Sequence, residues 1–227
     1  ENPMLGLRSI RLALRNRSML HLQLRAILRA NADANLRVMF PLISTLTELR
    51  RAKMIVKDVI DDLHESGERF SPDIPIGMMV EVPSAAILID QFVEEVDFLS
   101  IGTNDLVQYC LAVDRGNRDV VNLYNSEDPA ILRLIRRTIR EGDRKKIPVS
   151  LCGQMAGNPL YTMLLIGLGL RYFSASPSAL LEVKKVCREV SLEQCREVAR
   201  YVTSLESAGE IKRYLRSQLS QLNPRPE

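Results

Sequence analysis

The chain has 227 residues, 46% of them apolar and 26% charged, and 31 basic residues set against 28 acidic ones leave a formal net charge of +3. This length can bury a sizeable core, and so small an excess of positive charge argues against a nucleic-acid-binding surface. The apolar stretch around Met163 to Leu170 is far too short to cross a bilayer. No charged-then-apolar leader opens the sequence, and four cysteines without CxxC or zinc-ligand spacing read as reduced thiols, so a cytoplasmic location is expected.

Strand-like and helix-like segments alternate along the chain. Leu36 to Ile43 reads as a strand interrupted late by Pro41. An amphipathic helix from Thr45 to about Ser66 follows, with Leu46, Leu49, Ala52, Ile55, Val56 and Val59 near helical spacing. Ser44 or Thr45 suits its N-cap and Gly67 its end. Ile76 to Val82 is a second apolar run, after which Pro83 opens a helix through Ile89. Asp97 to Ile101 is a third strand. Asp128-Pro129 starts a helix reaching about Arg144, whose arginines at 133, 136, 137 and 140 read as a solvated face. Ile147 to Leu151 is a fourth strand, Asn158-Pro159 starts another helix, and Arg171 to Ser174 is a short fifth strand. The remainder, Leu181 to Leu222, is helical in pattern, and the closing Asn-Pro-Arg-Pro-Glu is expected to fray.

Such alternation implies parallel strands joined by crossover helices. No glycine-rich dinucleotide fingerprint follows any strand. The residues with chemistry in them stand just past strand ends, where (β/α)8 barrels gather their active sites. Five strands are too few for that barrel, so the residues alone predict either part of one or an open sheet.

Glu81, in Gly77-Met-Met-Val-Glu-Val-Pro83, and Asp105, in Ser100-Ile-Gly-Thr-Asn-Asp-Leu106, each follow a strand. Adjacent strands lie about 4.8 Å apart, so the two carboxylates can share one hard cation. Mg²⁺ takes one or two carboxylates and completes its shell with water and substrate phosphate. The competing reading is that each carboxylate caps the helix that follows it. Arg115 and Arg8 are candidate anion clamps, with surface ion pairs to Asp114 or Asp119 as the alternative for Arg115. Cys152, followed by Gly153 at the end of a strand, is placed to act as an exposed nucleophile or proton donor. Cys110, Cys187 and Cys195 read as buried and inert. His21 and His64 stand near no motif and read as surface residues.

Together these motifs resemble the phosphoenolpyruvate-utilising family, and most closely its phosphotransferase-system Enzyme I branch. The resemblance rests on Glu1-Asn-Pro-Met-Leu-Gly6, the two acidic motifs, Leu111-Ala-Val-Asp-Arg-Gly-Asn117 and Cys152-Gly153, in order along nearly the whole chain. It implies a (β/α)8 TIM-barrel type of fold, of which about the last five βα units are present, with 1–227 forming the C-terminal portion of the domain. It also implies Mg²⁺ on Glu81 and Asp105, the substrate phosphate on Asn104, Asp105 and Arg115 with help from Arg8, and Cys152 as the acid that protonates the enolate to give pyruvate. The implied partners are phosphoenolpyruvate or pyruvate, a histidine phosphocarrier protein reached through an N-terminal domain absent here, and a second copy in a homodimer, with no nucleic acid and no membrane. Alternatives are a pyruvate phosphate dikinase or phosphoenolpyruvate synthase type of domain, or a non-catalytic dimerisation module.

The sequence departs from the family pattern in three places. Gln154 stands where Cys-Gly-Glu is usual, and a neutral neighbour is expected to lower the Cys152 pKa relative to a carboxylate. Val107 replaces a common threonine. The upstream barrel strands, with two further substrate arginines, and the domain bearing the phosphorylated histidine are expected to be missing, so the chain is not expected to complete phosphotransfer alone.

Overall fold

The computed structural model describes residues 4–33 and 35–222; the first three residues of the opening motif and the tail expected to fray lie outside them. Two helices, α1 (Ser9–Arg15) and α2 (Arg17–Ala30), precede β1 (Val38–Phe40) and α3 (Leu46–Glu65). Then come β2 (Ile76–Val80), α4 (Pro83–Ile87), α5 (Ile89–Phe92), β3 (Phe98–Gly102), α6 (Thr103–Leu111) and α7 (Pro129–Lys145). The later elements are β4 (Val149–Cys152), α8 (Gln154–Gly157), α9 (Pro159–Gly167), β5 (Tyr172–Phe173), α10 (Pro177–Glu189), α11 (Leu192–Val202) and α12 (Ala208–Leu222).

The five strands form one parallel sheet in the order β1-β2-β3-β4-β5. Each crossover advances one position in the same direction. A doubly wound sheet instead reverses at a switch point; here the chain builds a βα arc of the barrel type. Met78, Val80, Leu99, Ile101 and Leu151, which the register puts on one face of the sheet, are all fully buried.

Local chemistry sets most element ends. Thr45 Oγ1 accepts from the Glu48 amide while Glu48 Oε2 accepts from the Thr45 amide, so a capping box starts α3 at the predicted place. Asp128 and Asn158 accept from the amides of Ala130 and Leu160, each with proline next in sequence, and so start α7 and α9. The first strand is shorter than expected because Pro41 removes a ladder donor immediately after Phe40. The helix expected from Pro83 is two short pieces that break at Leu88. The helical tail is three helices, the last two separated by residues 203–207.

Among the other expectations, α7 turns Ile131, Leu132, Ile135 and Ile139 inward and the arginines at 133, 136, 137 and 140 outward. Of the three cysteines expected to be buried, Cys195 is buried and Cys110 half-buried, but Cys187 is exposed on α10 because the buried side of that helix falls on Val183 and Val186. His21 pairs with Asp62 at 2.8 Å and His64 meets Phe70 edge-on, both on the α2 and α3 side of the molecule rather than at the strand ends.

One polar group deep in the structure was not foreseen. Glu127, just before α7, is 2% exposed. It accepts from the Tyr161 hydroxyl of α9 at 2.9 Å and pairs with Lys212 of α12 at 3.1 Å. Burial and this neighbouring carboxylate push the Tyr161 phenol far up, so it remains a donor.

Candidate active site

The carboxyl ends of four consecutive strands converge on one place. Leu42 follows β1, Glu81 follows β2, Asn104 and Asp105 lie in the first turn after β3, and Cys152 ends β4 in register with Gly102. Sequential pairing brings residues far apart in the chain into one polar cluster at the top of the sheet.

Neither acidic residue caps a helix. No side chain caps α4 or α6. Instead the Glu81 carboxylate accepts the Leu42 amide at 2.6 Å, and Leu42 reaches it from a left-handed backbone conformation with φ of 55°. A non-glycine residue is rarely held there, and the strain is of a kind that persists where the surroundings fix it. Glu81 is 6% exposed, and burial raises its pKa to about 7. The Leu42 hydrogen bond opposes this rise, the nearby Asp105 carboxylate adds to it, and Arg8 opposes it.

Asp105 is also buried, and its two oxygens differ. Oδ2 receives Arg8 Nη2 at 3.3 Å, while Oδ1 accepts no hydrogen bond among the described residues and has Arg115 Nη2 at 3.8 Å. Arg8 and Arg115 therefore meet on one aspartate, and Arg115 engages neither Asp114 nor Asp119. A buried carboxylate oxygen without a donor is costly. It is the kind of atom a cation satisfies.

Asn104 uses its side-chain oxygen to accept the Gln154 amide at 2.9 Å, and its NH2 group makes no hydrogen bond among the described residues. Two tyrosines missing from the sequence reading complete the setting. Tyr109 accepts from Arg8 at 3.3 Å, and Tyr124 donates to the Asn104 carbonyl at 3.0 Å. Burial raises both phenols, which stay protonated at neutral pH. Leu42 was also missed. An aromatic residue in a helix or loop carries no sequence signal of its own, and a backbone amide carries none at all.

Cys152 is half-buried rather than exposed, because its strand position lies against β3. Its sulfur lies 3.7 Å from the Ser100 hydroxyl and 3.5 Å from the Ile101 carbonyl. Burial pushes the thiol up, the Ser100 contact lowers it, and the Glu81 and Asp105 carboxylates raise it further. These two carboxylates, rather than position 154, are the charges that act on it; Gln154 is exposed. The thiol is therefore held protonated.

Gly153 turns the chain from β4 into α8 at φ 89°. A Cβ there would lie 2.6 Å from Thr103 Oγ1 and 2.8 Å from Asn104 Oδ1. Gly153→Ala is expected to cost about 1–3 kcal/mol and to displace Asn104. Urea denaturation should show a lower midpoint, and an unchanged midpoint would refute the close approach.

The residues fit Mg²⁺. No group of three or more His, Cys, Asp or Glu side chains suited to a metal occurs among the described residues. A site limited to Glu81 and Asp105, with Oδ1 of the latter unsatisfied, matches an ion that takes one or two carboxylates and leaves places for water and substrate oxygen. No helix among the described residues is long and apolar enough to cross a membrane.

Known proteins resemble this chain over most of its length. The phosphoenolpyruvate-protein phosphotransferase of Bacillus sp. (strain S) is 43% identical over 219 residues, 96% of this chain and 38% of that protein. The Haemophilus influenzae protein of the same name is 43% identical over 210 residues, 92% of this chain and 36% of its own length. The chain thus spans well under half the length of these relatives. A citrate lyase from Burkholderia xenovorans LB400 has a similar fold, with a TM-score of 0.54 at 13% identity, covering 91% of this chain and 70% of that one. The model of the PEP-utilising enzymes' PEP-binding domain matches residues 1–192. Since that match covers well over half of the chain, the chain belongs to the PEP-utilising enzyme family through its PEP-binding domain.

Proposed function

We propose that this chain is the phosphoenolpyruvate- and Mg²⁺-binding part of a phosphoenolpyruvate-protein phosphotransferase. The carrying observation is the convergence of Arg8 and Arg115 on the buried, half-satisfied Asp105, with Glu81 in the same cluster. Glu81 and Asp105 would hold Mg²⁺, which supplies positive charge to the phosphate oxygens. Arg8, Arg115 and the free NH2 of Asn104 grip the phosphate and carboxylate of the substrate. The phosphoryl group leaves as its bond to the enol oxygen breaks, and a histidine on another domain accepts it before passing it to a histidine phosphocarrier protein. The electron pair left on the oxygen forms the enolate of pyruvate. As the carbonyl forms, the terminal carbon takes the proton from Cys152 Sγ, a thiol that burial and two carboxylates keep protonated.

The Bacillus and Haemophilus relatives support this reading over a dikinase, since both carry the phosphotransferase name. In the same reading the whole protein is a cytoplasmic homodimer. Calorimetric titration of the whole protein with phosphoenolpyruvate tests the site. Binding should require Mg²⁺, and equal affinity in a chelating buffer would overturn the assignment.

A further inference from the structure

A cavity of about 360 Å³ lies where α7, the end of α9 and α11 meet. Arg136 and Arg140 line it from α7, and Arg196 and Arg200 from α11, each pair one helical turn apart. Gly167 and Leu168, at the C-terminal end of α9, form part of its wall. Helices α9 and α11 come this close because residue 167 is glycine: a Cβ there would lie 1.9 Å from the Cys195 carbonyl oxygen of α11.

No carboxylate lines the cavity. Among the described residues, none of the four arginines makes an ion pair with an acidic side chain, whereas Arg137 and Arg144 on the same helix α7 pair with Asp90 and with Glu94 and Glu141. The carbonyls at the end of α9 do not account for the four charges either, because the donor to Ile166 and Leu170 there is Arg171. Four like charges around one concavity are mutually repulsive, so the fold holds them together at a cost to its stability.

We propose that this cavity is a binding site for a small polyphosphate anion, separate from the candidate active site. Two pairs of planar guanidinium forks present many donors to phosphate oxygens in a space sized for a di- or triphosphate group. A net charge of only +3 over the chain, with these four unpaired arginines around one concavity, favours a compact anion over an extended nucleic acid. This site does not depend on the phosphotransferase reading.

The test is calorimetric titration of the whole protein with sodium tripolyphosphate, in buffer containing a chelator and 150 mM salt. The parent protein should bind one equivalent. Arg136→Ala/Arg200→Ala should weaken binding at least about tenfold, a loss in the range expected for removed charge-assisted hydrogen bonds. The Lys/Lys variant should fall between the two. Magnesium-dependent phosphoenolpyruvate binding should be unchanged in the double variant, and Arg8→Ala should leave tripolyphosphate binding intact. Without ligand, the double variant should melt no lower than the parent, since repulsion is relieved. Tripolyphosphate affinity indifferent to these arginines would overturn the proposal. So would its disappearance at 150 mM salt, or tighter binding of a single-stranded oligonucleotide at several sites per chain.

Discussion

Glu81→Gln should abolish magnesium-dependent phosphoenolpyruvate binding while making the metal-free protein more stable. Loss of one charged ligand is expected to weaken the complex by about two orders of magnitude or more, the scale reached when even an outer-shell partner of a metal ligand is removed. The stability gain follows from proton linkage. In the folded protein the Glu81 pKa is about 7, against an ordinary value of 4.5. Between those pH values the folded state holds the proton more tightly than the unfolded chain, so stability falls as pH rises through the window. By pH 7 and above the loss is about 3 kcal/mol, at 1.36 kcal/mol per pKa unit. A glutamine can still accept the Leu42 amide and carries no charge to desolvate. Thermal melts in chelator should therefore show the variant several degrees more stable at pH 8 and close to the parent at pH 4.5. The same proton must leave when metal binds, so apparent Mg²⁺ affinity should rise toward pH 7 and level off above it. Unaltered magnesium dependence in the variant would remove Glu81 from the site.

Cys152→Ala should separate binding from chemistry. Exchange of pyruvate methyl protons in D2O, followed by proton NMR, is expected to fall about 10²–10⁴-fold, the usual contribution of a positioned acid or base. Affinity for phosphoenolpyruvate should be unchanged, because the sulfur hydrogen-bonds Ser100 and Ile101 and neither arginine rests on it. Burial and the carboxylates raise the thiol above its ordinary value of 9.0, so the proton needed for enolate quenching is present throughout the neutral range. Gln154→Glu is expected to leave the neutral-pH rate nearly unaltered, since position 154 is exposed and the thiol is already protonated. Full methyl exchange in Cys152→Ala would assign the acid role elsewhere.

The order of strands and helices, and the nearness of Glu81 to Asp105, could be read in advance from local patterns, whereas the grouping of Arg8, Arg115, Asn104 and Cys152 with them came from the family resemblance. Apolar runs end in chemistry-bearing residues, and proline or a capping side chain opens the helices. Even the competing readings had definite content: had Glu81 or Asp105 been a cap, its oxygens would have met the amides of its own helix. What stayed hidden depends on geometry between segments. Leu42 acts through a backbone amide in a left-handed conformation, which its side chain does not announce. The burial of Cys152 depends on its register with Gly102, not on its own neighbours. The exposure of Cys187 depends on which face of α10 turns inward. Glu127 sits in a polar loop where nothing marks it as the partner of a lysine on the last helix.

That last contact bears on where this domain ends. The match to the family's PEP-binding domain model closes at residue 192, at the start of α11, yet Lys212 of α12 returns to Glu127. Glu127 in turn belongs to the stretch that carries Arg115 and Tyr124 to the active site. A protein cut at residue 192 would keep every catalytic candidate but strand a buried carboxylate without its cation. The stretch that the domain model describes is thus shorter than the unit that folds, and α12 ties down the end of the segment that carries Arg115 and Tyr124.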